Sequence, residues 1–174
     1  SGYVVASETC ACDLLGAEFL REVEPGELLI INKEGLKSIK YASERPGHFC
    51  VFEFIYFARP DSHFLGQNVH LARKAMGREL AAEMNIEADL VIPIPDSGTA
   101  AALGFSEESG IPFSMGILRN RYIGRTFIQP LQEIRDLKVK IKLSPVKEII
   151  EGKRVVLVDD SIVRGTTSKQ IISS

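Results

Sequence analysis

The sequence has few cysteines, no long apolar run and little excess charge, and each shortage excludes a class of protein. Its three cysteines, Cys10, Cys12 and Cys50, form no CxxC pair, so no disulfide framework is expected and a reducing, cytoplasmic location fits best. No apolar run approaches the roughly 18 residues of a membrane span, and the first residues lack the pattern of a signal peptide. A formal net charge of −2 argues against nucleic acid as a partner.

Two common nucleotide-binding motifs are also missing. The chain contains neither Gly-x-Gly-x-x-Gly nor the Gly-Lys-Ser/Thr ending of a P-loop. Its remaining composition is ordinary for a soluble globular protein, with 45% hydrophobic and 25% charged residues. A length of 174 residues allows one complete domain or parts of two.

A strand that ends in an acidic loop is the most informative stretch of the chain. Four apolar residues, Val155–Val158, predict a fully buried strand, and Asp159 and Asp160 follow it directly. Residues 161–167 then form a loop before a short predicted helix at 168–172, an arrangement that favours a bound phosphate. The two carboxylates suit ribose hydroxyls or a hard cation such as Mg²⁺. The alternative is an acidic turn that closes a core strand.

A second strand, loop and helix repeat this plan earlier in the chain. Residues 88–92 predict a buried strand, and residues 99–109 predict an alanine-rich helix. Between them lies the loop PIPDSGT, in which Asp96 and Ser97 present small polar groups that could grip another phosphate. A plain strand-to-helix turn is the alternative.

The segment between these loops is rich in cations. It carries Arg119, Arg121, Arg125, Arg135, Lys138, Lys140 and Lys142. Taken alone, it is typical of a solvated loop or a nucleic-acid patch. Because loops suited to anions flank it in sequence, we favour a mobile basic lid that closes over an anionic group and excludes water.

The rest of the chain carries expectations of secondary structure only. Strands are predicted at 3–6, 28–31, 49–57 and 112–118, the first two of them buried, and helices at 13–21 and 68–84, with Met76 and Met84 in the core. Buried thiols are expected at Cys10 and Cys12. Because strands and helices alternate from residue 49 onward, the sequence predicts an α/β fold with a doubly wound parallel sheet and binding loops at the carboxyl ends of its strands.

Four stretches carry a resemblance to known proteins. The run VVLVDDSIVRGTT resembles the signature of phosphoribosyltransferases, enzymes that use 5-phosphoribosyl-1-pyrophosphate (PRPP). The stretches YVVASETCACDLLGAEFLREVEPGELLIIN, FCVFEFIYFARPDS and NRYIGRTFIQP narrow the resemblance to the amidophosphoribosyltransferases, the glutamine amidotransferases that open purine biosynthesis. It implies the end of an N-terminal-nucleophile glutaminase domain at 1–41, a linker at 42–48, and a type I phosphoribosyltransferase domain at 49–174 that is truncated at its C-terminal end.

The resemblance also implies the site residues. PRPP-binding residues would be Asp96, Ser97, Asp159, Asp160, Ser161, Ile162, Val163, Arg164, Gly165, Thr166 and Thr167. Catalytic residues on the lid would be Arg119, Arg121, Tyr122 and Arg125, although the family commonly has lysine at position 119. Ser97, Asp159 and Asp160 would approach Mg²⁺. Cys50 stands at a family position that ligates a 4Fe-4S iron–sulfur cluster in some members, the alternative being a thiol packed under a strand.

The implied reaction is a glycosyltransfer that converts PRPP, glutamine and water to phosphoribosylamine, pyrophosphate and glutamate. Ammonia from glutamine would be the nucleophile, purine nucleotides would act as feedback ligands, and the full-length protein would form homotetramers. The nucleophilic N-terminal cysteine of the family's glutaminases is absent here, so we expect no glutaminase activity from this chain. Because the transferase domain is expected to be truncated, we also expect the isolated chain to be inactive. We also expect low solubility or self-association from it.

Two rival interpretations remain open. One is a phosphoribosyltransferase of the same fold that uses a nucleobase; it should lack the NRYIGRTF lid and the glutaminase tail. The other is a non-catalytic sensor that keeps the phosphoribosyl pocket.

Overall fold

The computed structural model describes residues 2–43, 47–120, 143–162 and 165–172. The chain divides into two compact units, residues 1–69 and residues 70–174. Across those described ranges, no helix is long and apolar enough to cross a membrane.

The first unit is built on an antiparallel hairpin. Strands β1 (Glu27–Asn32) and β2 (Gly35–Lys40) pair in the register Glu27 to Lys40, so the turn falls at residues 33–34, as its Asn-Lys-Glu-Gly sequence favours. The strand predicted at 28–31 is therefore confirmed. Its burial was wrongly predicted, since Leu28 is 48% exposed.

The first residues of the chain differ from the expectation. Residues 3–6 form no strand, and Tyr3, Val4 and Val5 are exposed. Helix α1 (Thr9–Leu14) begins four residues before the predicted start of a helix at 13. Apolar runs as short as these do not show whether a segment forms a strand, a helix or a coil, because contacts with the rest of the folded chain decide among the three.

Residues 49–57 form no strand, and residues 52–57 are helical, which corrects the aromatic strand predicted there. Glu53–Phe57 form a π-helical turn. It brings the rings of Phe49 and Phe54 to 5.2 Å between centroids, and Phe54 also packs edge-on against Phe64. In a strand, Phe49 and Phe54 would lie about 17 Å apart, so the aromatic contacts require the turn. A two-residue hairpin, β3 (His63–Phe64) with β4 (Gln67–Asn68), completes this unit.

The second unit contains the predicted alternation of helix and strand. Its elements are α2 (Val69–Glu83, starting one residue before the unit), β5 (Leu90–Pro93), α3 (Thr99–Ser109), β6 (Ile117–Arg119), β7 (Leu143–Pro145), α4 (Lys147–Ile150), β8 (Val155–Val158) and α5 (Thr166–Ile172). Helix α2 confirms the helix predicted at 68–84, and α3 has the predicted bounds and ends at Gly110 in the left-handed conformation. The strand predicted at 112–118 is shorter, with one parallel bridge at Phe113 and then β6.

Strand β5 is the centre of the parallel sheet. It pairs with β8 in parallel, Leu90 to Val155, and exchanges backbone hydrogen bonds with residues 112 and 114. Val91 faces a core with Phe105 and Val158, whereas Ile92 faces a second core with Ile117. Both faces of β5 are thus covered, as in a parallel α/β sheet. Strand β8 is less buried than predicted, because Leu157 is 36% exposed.

Helices α2 and α3 approach each other through two glycines. A Cβ atom at Gly77 would overlap the carbonyl group of Ala101, and one at Gly104 would overlap that of Lys74. Salt bridges from Lys74 and Arg78 of α2 to Glu107 of α3 also join the two helices.

The methionines of α2 point elsewhere than predicted. Met76 is 40% exposed and Met84 is 47% exposed, so their placement in the core was wrong. The helix instead buries Val69, Arg73 and Ala81, and the small residue Gly77 lies on the side that meets α3. Spacing alone identified an amphipathic helix but not the face that packs.

Candidate functional site

Two loops lie side by side at the carboxyl ends of β5 and β8. Pro93 and Val158 are opposite each other in the register, and the N–H of Ile94 donates a hydrogen bond of 2.8 Å to the carbonyl oxygen of Val158. The loop 94–98 therefore starts beside Asp159. The sequence predicted both loops, and the parallel pairing brings them together.

Gly98 allows the closest approach of these two loops. A Cβ atom there would overlap the carbonyl oxygen of Val158 and would lie 3.3 Å from the Cα of Asp159. Its φ of −74° is open to any residue, so space and not backbone conformation requires glycine. The sequence gives no sign of this contact, because Val158 and Asp159 lie 60 and 61 positions away from Gly98.

The acidic pair at the end of β8 is partly removed from water. Asp159 and Asp160 are half-buried, and burial raises the pKa of the Asp159 carboxyl, with the neighbouring Asp160 charge adding to that effect. The N–H of Asp160 donates to Asp159 Oδ1 at 2.9 Å, which partly offsets it. The Ser161 hydroxyl donates to Asp160 Oδ1 at 2.6 Å. Two adjacent, partly buried carboxylates are stabilised by a nearby cation or by hydroxyl groups that donate hydrogen bonds to them.

An ion pair ties the basic segment to the first loop. Arg119, the last residue of β6, donates through Nη1 to Asp96 Oδ2, and both side chains remain partly exposed. The peptide bond between Pro95 and Asp96 is cis. Both residues were predicted as site residues from the sequence. Their pairing was not predicted, because they lie 23 positions apart.

Ser97 and the start of α3 complete the first loop. Ser97 is half-buried, and the loop is closed by hydrogen bonds from the N–H of Gly98 to Ile94 and from that of Thr99 to Asp96. In the second loop, Ile162 is exposed and Gly165 is left-handed, with φ of 66°, immediately before α5. The backbone of Thr166 and Thr167 forms the first turn of α5.

Several predicted site residues cannot be placed. Arg121, Tyr122, Arg125, Val163 and Arg164 lie outside the described residues, and so does most of the predicted lid. The described site therefore consists of Asp96, Ser97, Gly98, Arg119, Asp159, Asp160, Ser161, Ile162 and Gly165, together with the backbone of Thr166 and Thr167. It offers carboxylates, a guanidinium and loop backbone around one sheet edge, a combination suited to a phosphorylated, hydroxyl-bearing ligand.

The cysteines lie in the first unit. Cys50 is exposed. Cys10 and Cys12 are half-buried, which is less than the full burial that was expected of their thiols. Within the described ranges, no group of three or more His, Cys, Asp or Glu residues is arranged to hold a metal ion.

Known proteins match the chain closely over part of their length. No family model matches. An amidophosphoribosyltransferase of Bacillus subtilis (strain 168) is 57% identical over 171 residues, which cover 98% of this chain and 36% of that protein. One of Archaeoglobus fulgidus is 52% identical over 171 residues, covering 98% of this chain and 37% of that protein. The chain thus spans about a third of the length of these curated relatives.

Solved structures share the fold. The chain matches a glutamine PRPP amidotransferase from B. subtilis, complexed with ADP and GMP, at a TM-score of 0.87 and 56% identity, covering 96% of this chain and 37% of that one. It matches a structure described as the allosteric regulatory enzyme of purine biosynthesis at a TM-score of 0.88 and 56% identity, covering 96% and 36%. The predicted α/β fold of the type I phosphoribosyltransferase kind is confirmed.

Proposed function

We propose that the protein containing this chain makes phosphoribosylamine from PRPP, because the chain belongs to the amidophosphoribosyltransferase family and spans about a third of the length of those enzymes. Glutamine and water give glutamate and ammonia, and ammonia displaces pyrophosphate from C1 of PRPP. The observation that carries this proposal is the contact between the loop 94–98 and the acidic pair at the end of β8. One loop takes the pyrophosphate while the other holds the ribose 5-phosphate.

The acidic pair acts on the sugar. Carboxylates of Asp159 and Asp160 accept hydrogen bonds from the ribose hydroxyls, and their charge stabilises the positive charge that develops at C1 as pyrophosphate leaves. Their partial burial strengthens both interactions, because screening by water is reduced. Residues 161–167 bind the 5-phosphate, a remote group whose binding energy aligns the reacting carbon.

The first loop and the lid act on the leaving group. Asp96 holds Arg119 at the loop, and we propose that Arg119 offers its remaining N–H groups to pyrophosphate. Arg121, Tyr122 and Arg125 of the lid join it there. Closing the lid also keeps water away from C1, because water that reached this carbon would hydrolyse PRPP.

The donor set fits Mg²⁺, which prefers one or two carboxylates together with substrate phosphates and water. Asp159, Asp160 and the Ser97 hydroxyl would hold the ion. A cation would offset the raised pKa of Asp159, whose carboxylate is partly desolvated beside another negative charge. When bound, Mg²⁺ supplies positive charge to the departing pyrophosphate.

Cys50 is proposed as one ligand of a 4Fe-4S cluster in the longer protein. Its support is that the thiol of Cys50 is exposed and is therefore accessible to a cluster, which is held by cysteine thiolates. Iron and acid-labile sulfide content of the purified longer protein, with Cys50→Ser as the comparison, tests this. Equal iron in both proteins would remove Cys50 from the cluster.

The remaining parts of the proposal concern the context of the site. Residues 1–41 form the end of a glutaminase domain, 42–48 a linker, and 49–174 the transferase domain. The longer protein is cytoplasmic, forms homotetramers and binds purine nucleotides as feedback ligands, as suggested by the ADP and GMP of the solved relative. Nucleic acid and membrane are not partners.

Pyrophosphate release from PRPP with Mg²⁺ and ammonium tests the activity. We expect release by the longer protein and none by this chain alone, and we expect the double variant Asp159→Asn with Asp160→Asn to lose it. An unchanged rate in that variant would remove the acidic pair from the mechanism. PRPP binding without release by the longer wild-type protein would instead indicate the sensor.

A further inference from the structure

Residues 8 and 9 hold a distant segment of the first unit. Glu8 Oε2 accepts hydrogen bonds from the backbone N–H of Arg59 and from the Ser62 hydroxyl, both at 2.8 Å. Thr9 Oγ1 accepts the backbone N–H of His63 at 2.8 Å. Three donors from residues 59–63 thus converge on two adjacent side chains, which we name the Glu8–Thr9 clamp.

The clamp is built for a firm contact. Ser62 is fully buried, and Glu8 and Thr9 are half-buried. Hydrogen bonds to an ionised carboxylate are among the stronger ones, and removing the acceptor leaves a buried hydroxyl unsatisfied. A further hydrogen bond, from the N–H of Leu65 to Glu22 at 3.3 Å, joins the same two segments.

The clamp crosses the proposed domain boundary. Residues 8–22 belong to the proposed end of the glutaminase domain, and residues 59–65 follow the proposed linker at 42–48. The hydrogen bonds span 43 to 54 positions, and all of these residues lie in one compact unit. A linker by itself would leave the segments on either side of it free to move, whereas these hydrogen bonds hold residues 8–22 against residues 59–65, the first part of the proposed transferase domain.

We propose that Glu8 and Thr9 are positioning residues that keep the glutaminase and transferase parts in register, so that ammonia passes between them instead of escaping to water. This inference rests on the proposed function. The hydrogen bonds described for the clamp join residues 8 and 9 to residues 59–63, so we expect it to act on delivery of ammonia and not on the chemistry at C1.

The test uses the longer protein with Glu8→Ala and two nitrogen sources. With saturating ammonium, delivery is bypassed, and we expect the rate of pyrophosphate release to stay within about twofold of wild type. With glutamine, we expect that rate to fall about tenfold while glutamate formation continues. The ratio of glutamate to pyrophosphate should therefore rise well above that of wild type.

Matched variants separate positioning from simple loss of fold. Glu8→Gln keeps an oxygen acceptor in the place of Oε2 and should restore most of the coupling. Thr9→Val removes a single acceptor at nearly constant shape and should give an intermediate ratio. Glu18→Gln, an exposed position on the same segment, should match wild type.

The outcomes are distinguishable. Equal loss with both nitrogen sources, in Glu8→Ala and in Thr9→Val, would make the clamp merely structural and overturn the inference. An unchanged ratio in Glu8→Ala would do the same. No ammonium-dependent release by the wild-type protein would overturn the proposed function itself, and this inference with it.

Discussion

Gly98 lies against the main chain at Asp159, where a Cβ atom would come within 3.3 Å of the Cα of Asp159 and overlap the carbonyl oxygen of Val158. This contact joins the two loops on which the proposed reaction depends. It also makes the site sensitive to a single methyl group placed at its centre.

The change Gly98→Ala tests that contact. Because the atoms it would meet belong to backbone, the added methyl must push the loops apart, and we expect a loss of about 1–3 kcal/mol in the free energy of unfolding. Ammonium-dependent pyrophosphate release should fall further than the stability loss explains. Gly47→Ala is the control, because nothing lies within 4 Å of a Cβ atom at that position. Full activity in Gly98→Ala would show that the loops need not touch.

Asp159→Asn should stabilise the protein while it slows turnover by the longer protein. Burial raises the pKa of Asp159, so the folded state binds its proton more readily than the unfolded state, and stability falls as pH rises through the folded pKa. Asparagine removes that cost and keeps the oxygen that accepts the N–H of Asp160. We expect a higher melting temperature at neutral pH and a rate lower by about 100-fold. A lower melting temperature would contradict the assigned origin of the pKa shift.

The pair Arg119 and Asp96 is tested by a double-mutant cycle. If Asp96 acts by holding Arg119, then Arg119→Ala and Asp96→Asn are not additive, and the double variant should be no slower than Arg119→Ala. We expect Arg119→Ala to lower ammonium-dependent release about 100-fold. Arg154→Ala, which also removes a partly exposed cation with acidic partners, is the control. Additive losses would give Asp96 a role of its own.

Glu27 should make the stability of the first unit depend on acid pH. Hydrogen bonds from Arg21, Ser38 and the backbone N–H of Glu24 lower the pKa of Glu27 to about 2, against about 4.3 in an unfolded chain. Its contribution to stability is therefore present above about pH 4.3 and is lost as pH falls towards 2. Chemical unfolding at a series of pH values should show a steeper loss for wild type than for Glu27→Gln. Glu34→Gln, an exposed residue in the adjacent turn, should follow wild type.

Gly77→Ala should destabilise the helix pair α2 and α3, although alanine is the better helix former. The substitution gains about 1 kcal/mol in helix propensity. However, the new methyl group would overlap the carbonyl oxygen of Ala101, and forcing it in costs about 1–3 kcal/mol or more. We expect a lower melting temperature, measured by circular dichroism. Ala82→Gly, the opposite substitution at an exposed position of α2, is the control. It should lower the melting temperature through helix propensity alone.

The predicted secondary structure was most reliable where the chain is buried. The helix Thr99–Ser109 and the strands at 90–93 and 155–158 follow from apolar runs bounded by proline, glycine or acidic residues. It was least reliable in the first unit, where residues 49–57 turn because Phe49, Phe54 and Phe64 meet. Two of these contacts join Phe64 to positions 10 and 15 residues earlier, and contacts at such separations leave no periodic signal in the sequence.

The type of fold, the two loops and most of the candidate residues could be predicted from the sequence, because each loop is a local pattern of strand, polar turn and helix. Which of these residues meet depends on how the chain folds. The parallel register of β5 and β8 places Gly98 against Asp159, the end of β6 carries Arg119 to Asp96, and residues 8 and 9 reach 59–63. These contacts join positions 23 to 61 apart, and their energies arise from burial and hydrogen bonding that form only when the chain has folded.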